Sequence, residues 1–64
     1  MKIFEAHTGL NSTDFASETE ARATVEAHGS GYVVTFIRDY TGRDRSCAMN
    51  VFKAGAWDGV YIHG

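Results

Sequence analysis

The stretch RDYTGRDR, residues 38 to 45, holds the densest set of groups in this chain able to do ionic chemistry. Arg38, Arg43 and Arg45 alternate with Asp39 and Asp44 around Gly42. Guanidinium groups are planar forks of N–H donors that suit carboxylates and phosphates alike. Three of them on one turn point to an anionic partner, either an acidic protein surface or a nucleic-acid backbone. The two aspartates reduce the local charge to +1. A glycine between two strand-like runs is also what a hairpin tip requires. The stretch therefore reads first as a solvated turn whose arginines are candidates for contacting protein carboxylates.

A second ionic cluster lies upstream. Asp14, Glu18, Glu20 and Glu26 fall at and along one expected helix. Acids at a helix start are favoured by the positive end of the helix dipole. As a set they read first as a solvated helix face, and alternatively as an acidic face able to dock on a basic groove in place of phosphates, with complementary charge fixing specificity.

Covalent and metal chemistry find less support. A nucleophile needs a base beside it and a third group to orient that base. Cys47 lies in an apolar strand-like run, where a free cysteine behaves as a small hydrophobe. His7, His28 and His63 are far apart in sequence, and no CxxC pair accompanies them, so the spacing of a zinc site is missing. Asp58 beside Trp57 reads as a turn residue with Gly59. No glycine loop precedes a helix in the way a phosphate cradle requires. The expectation is a protein without catalytic residues, metal or cofactor, acting by surface contact.

The elements that must position these groups follow from periodicity. Lys2–Thr8 alternates as a strand, and Gly9–Ser12 is a turn cluster. Residues 13–16 suggest a short extended segment that places Phe15 inside. Ser17-Glu18-Thr19-Glu20 is a capping box, so a helix is expected from there to about His28, ending at Gly29. Ala21, Thr24, Val25 and His28 form its inward stripe, and Glu18, Arg22 and Glu26 its outward side. Tyr32–Arg38 is rich in β-branched and aromatic residues and apolar on both faces, as expected of a central strand. Arg45–Lys53 is the next strand, with Cys47, Met49 and Val51 on one face. A last strand runs from about Trp57 to His63, unless Asp58-Gly59 is itself a hairpin turn.

These elements predict an α+β domain over residues 1–64: an antiparallel meander of about four strands with one helix on one face, in the order β-α-β-β-β. The expected core is Phe4, Phe15, Val25, Val34, Phe36, Met49, Val51 and Ile62. The uncovered face is expected to show some of Tyr32, Tyr40, Phe52, Trp57 and Tyr61, which either flank the edge of the core or mark a contact surface.

Composition narrows the classes further. Sixty-four residues form one domain with a small core. One cysteine excludes an internal disulfide and fits a reducing compartment. No signal peptide or membrane-length apolar run is visible, which predicts a cytoplasmic protein. The net charge is −2. Residues 1–30 carry −3 and residues 31–64 carry +1. A general duplex-DNA binder is normally basic, so nucleic acid is disfavoured as a partner.

The layout over nearly the full length resembles the small anti-CRISPR proteins of phages and mobile elements that act on type I systems. The segments carrying the resemblance are MKIFEAHT, SETEARATVEAHG, GYVVTFIRDYTGRDRSCAMNVFKAG and WDGVYIHG. It rests on size and element order, with no shared motif. It implies a non-enzymatic inhibitor, monomeric or weakly dimeric, that binds a Cas subunit of a type I surveillance complex (Cascade) and blocks target DNA, in some cases by acidic mimicry. A small nucleic-acid-binding module using the arginine hairpin, and one half of a toxin–antitoxin pair, are the competing readings.

Overall fold

The computed structural model describes residues 1–61, and the side chains of residues 1–59. It contains β1 (Lys2–Thr8), β2 (Asn11–Phe15), α1 (Glu18–His28), β3 (Gly31–Arg38), β4 (Asp44–Lys53) and β5 (Ala56–Tyr61). The five strands form one sheet in the order β2-β1-β3-β4-β5, each antiparallel to its neighbours. This is the small α+β domain expected, with a fifth strand. The extended segment before the helix begins two residues earlier than the sequence suggested and pairs along its whole length with β1.

The extra strand changes the topology. Because β2 and β3 are both antiparallel to β1, they are parallel to each other with β1 between them. The helix must therefore cross over β1 to connect them, and it packs on β1, β3 and β2. Only β3, β4 and β5 form a true meander.

Local chemistry sets each boundary. The Ser17 hydroxyl accepts from the Glu20 N–H at 3.4 Å, and Gly29 ends the helix in the left-handed region at φ 102°. Between β4 and β5 the turn is Ala54-Gly55, at φ 53° and 78°, the pair of positive values that a two-residue hairpin uses. Asp58 and Gly59 pair with Val51 and Asn50 inside β5, so they are not a turn. Gly31 is required where β3 starts: a Cβ there would lie 2.2 Å from the His7 carbonyl oxygen.

The helix covers a layer of small side chains. Ala21 and Val25 from the helix meet Ala6 and Val33 from the sheet, all almost fully buried, with Phe4, Phe15, Phe52 and Trp57 packed around them. Of the expected inward stripe, Thr24 is half-buried and His28 is exposed.

The expected single core divides in two. Phe4, Phe15 and Val25 lie under the helix as anticipated, but Val34, Phe36, Met49 and Val51 point to the opposite face. The reason is register: Ala6 pairs with Val33, so the next residue, Val34, must face away. On that far face Ile3 and Phe36 sit opposite each other, each 7% exposed. No helix or strand of the described residues covers this face. Its aromatic content also differs from expectation. Tyr32 is there, but Phe52 and Trp57 belong to the helix side, and Tyr40 stands fully exposed at the β3–β4 turn. Ile62 and His63 lie outside the described residues, as does the side chain of Tyr61.

Candidate functional site

The β3–β4 hairpin is fixed by its own acids. Asp39 occupies the mouth of the turn. Its Oδ1 accepts from the Thr41 N–H at 2.9 Å, the Thr41 hydroxyl at 2.6 Å and the Arg43 N–H at 3.0 Å. The backbone closes with Asp39 N–H to the Arg43 carbonyl at 3.0 Å and Gly42 N–H to the Asp39 carbonyl at 3.1 Å. Gly42 takes φ 86°, the left-handed position of a three-residue loop built on a β-turn. The Thr41 hydroxyl, and after it the Arg43 N–H, hold the Asp39 carboxyl below its ordinary range.

A bulge then decides which way the arginines point. Thr35 pairs with Ala48 but Phe36 pairs with Ser46, so Cys47 is the extra residue. Strict alternation would put Arg45 on the same face as Cys47, Met49 and Val51. The bulge reverses this. Arg45 pairs with Ile37 on the helix-side face, and Asp44 pairs with Arg38 on the far face.

Arg38 and Asp44 are thereby brought side by side. Arg38 Nε donates to Asp44 Oδ1 at 2.7 Å and its NH2 to Oδ2 at 3.0 Å, a bidentate fork. This contact lowers the Asp44 pKa and raises that of Arg38. Arg38 also lies 5.9 Å from the Phe36 ring centroid. Both its planar donors and its face are engaged inside the fold.

Arg43 and Arg45 are different. Among the described residues neither has a carboxylate partner. Both are exposed, and with Ile37, Asp39 and Asp44 they line a shallow concavity of about 440 Å³. The arrangement is two unpaired guanidinium groups around one apolar side chain, Ile37, on a hairpin preorganised by Asp39.

The four acids expected to act together are separated. Asp14 pairs with Glu5 and shares its face, away from the helix. Glu18, Glu20 and Glu26 are on the helix, across the sheet from it. At 100° per residue, Glu20 lies roughly 160° around the helix from Glu18. Glu18 holds Arg22 at 3.1 Å.

Glu26 has an internal partner that sequence reasoning missed. Its Oε2 accepts from the Trp57 indole N–H at 3.1 Å, and the Arg22 guanidinium lies 4.7 Å from the centroid of the same ring. Phe52 packs against the indole at 5.0 Å. The supposed outward side of the helix therefore clasps the edge strand β5. Nothing in the local sequence signals a contact between residues 31 positions apart.

Among the described residues no three of His, Cys, Asp and Glu converge as metal ligands. Cys47 is a half-buried free thiol at the bulge. No described helix is long and apolar enough to cross a membrane. No known protein family matches the chain, and no curated protein or solved structure is significantly similar to it.

Proposed function

We propose that this domain is a non-enzymatic protein-binding module whose contact is the hairpin arm, with Arg43 and Arg45 gripping carboxylates of the partner. One observation carries the reading: of the three hairpin arginines, Arg38 is neutralised by Asp44, while Arg43 and Arg45 form no ion pair among the described residues and border a concavity that they share with Ile37, Asp39 and Asp44. Guanidinium forks on a preorganised turn, with Ile37 beside them, suit an acidic segment with a hydrophobic residue next to it.

The resemblance to type I anti-CRISPR proteins makes inhibition of a Cascade complex the first instance of this activity to examine. Its acidic-mimicry form calls for Asp14, Glu18, Glu20 and Glu26 on one surface. With those acids on opposite faces, contact with an acidic patch of a Cas subunit is the version this geometry favours.

The test is target-DNA binding by a purified type I effector complex with the protein added. Inhibition that is lost in Arg43→Ala/Arg45→Ala and kept in Glu18→Ala/Glu20→Ala supports the arm. Inhibition lost only in the glutamate variant restores the acidic face. Salt-sensitive gel shifts of DNA or RNA by the protein alone, abolished by the arginine variant, would reassign the arm to nucleic acid.

A further inference from the structure

The arm does not stand alone at its end of the sheet. Lys2, at the start of β1, pairs with Ile37, and Ile37 pairs on its other side with Arg45. Lys2 has the parity of Phe4 and Ala6, which pack on the helix side, and Ile37 has that of Val33. Lys2, Ile37 and Arg45 therefore form one row across three neighbouring strands, on one face, with the apolar side chain in the middle. The row is tied at its base, where the Arg38 N–H donates to the Met1 carbonyl at 2.8 Å. Lys2 and Arg45 are exposed and Ile37 is half-buried. Among the described residues neither cation has a carboxylate partner.

Charge is concentrated at this end. Lys2, Arg38, Arg43 and Arg45 are four of the chain's six lysines and arginines, and only Asp39 and Asp44 of its eight acids accompany them. This end carries +2 and the rest of the chain −4. Such polarity turns the molecule arm-first toward an anionic partner and speeds the encounter. The make-up of the row favours a protein partner. A phosphate backbone offers charge with no apolar group to set on Ile37. Single-strand binders add aromatic platforms for bases, and this row holds an isoleucine instead.

We propose that Lys2 is a partner-binding residue, and that the arm takes an acidic protein segment with an apolar side chain between two carboxylates. Lys2 and Arg45 lie two strand spacings apart, roughly 10 Å between backbones. One carboxylate meets Lys2, the other meets Arg45 and Arg43, and the apolar side chain rests on Ile37. This rests on the arm's proposed role and adds to it a residue from a different strand.

Amide shifts of nitrogen-15-labelled protein, titrated with a capped peptide holding leucine between glutamates, test the assignment. The expected shifts centre on Lys2, Ile37, Arg43 and Arg45. Lys2→Gln, at an exposed side chain, should weaken the peptide roughly two- to fivefold. Serine in place of the peptide's leucine should weaken it about fivefold or more. Arg43→Ala/Arg45→Ala should abolish binding. Binding lost in the arginine variant but unchanged in Lys2→Gln overturns the role of Lys2 and leaves the arm's role standing. Binding unchanged in both variants, or absent in the wild type at millimolar peptide, overturns both. A serine peptide that binds as well as the leucine one overturns the apolar contact. An oligonucleotide that shifts the same amides and binds more tightly than the peptide overturns the assignment to protein.

Discussion

A carboxylate that already holds an indole is a poor probe of partner binding. Glu26 accepts from Trp57 while Arg22 lies on the ring, so reversing its charge would disturb the fold as well as any contact. Glu26→Ala is expected to cost about 1–2 kcal/mol, and Glu20→Ala to stay within about 0.5 kcal/mol of wild type. Urea midpoints followed by far-UV circular dichroism measure both, and equal midpoints for the two variants contradict the clasp. The pattern also shows what is visible at single residues. The Ser17 cap, the Gly29 stop and the Glu18–Arg22 pair are local and could be read directly. The Trp57–Glu26 contact depends on how β5 folds back across the sheet, which no local signal encodes.

Among the elements, the β3–β4 hairpin shows how one residue redirects a site. The turn at Gly42 was legible from composition, and the central place of β3 from its apolar faces. The bulge at Cys47 was not, because a two-residue period carries no mark of an inserted residue. Without it, Arg45 would share a face with Met49, and Asp44 would not meet Arg38. The hairpin's acids also make a pH prediction. Asp39 and Asp44 are held below their ordinary value of 3.8 in the fold. Their contribution is therefore present in full above that value and is lost as pH falls through the lower folded-state value. Asp39→Asn/Asp44→Asn is expected to lower the melting temperature near neutral pH and to narrow the gap to wild type below pH 3.8. A gap that widens on acidification would reverse the sign of this linkage. Both groups are solvent-exposed, so the effect is modest.

At the scale of the whole molecule, the α+β class, the single helix and the antiparallel sheet all followed from periodicity. Which apolar residues share a face did not. Val33 and Val34 are equivalent as sequence, and only pairing of Val33 with Ala6 sends one under the helix and the other to the far side. The helix-side core is so small that each member matters. Val33→Ala removes two buried methyl groups and leaves a cavity, an expected loss of about 2–3 kcal/mol. For a chain of this size that is a large share of a total near 3–10 kcal/mol. Val34→Ala, half-buried on the other face, is expected to cost less. Chemical denaturation of the two variants compares them, and equal losses contradict the division of the core.

Trp57 is the chain's single tryptophan, and it sits where helix and edge strand meet. Its emission is therefore a natural optical reporter on one event, departure of the helix from the sheet. The hairpin arm, at the other end of β4, holds none of the ring's neighbours Arg22, Glu26 and Phe52. Fraying of the arm would leave the fluorescence unchanged while amide exchange at residues 38–45 accelerated. Together the two signals separate loosening of the contact arm from loss of the fold, with no added label.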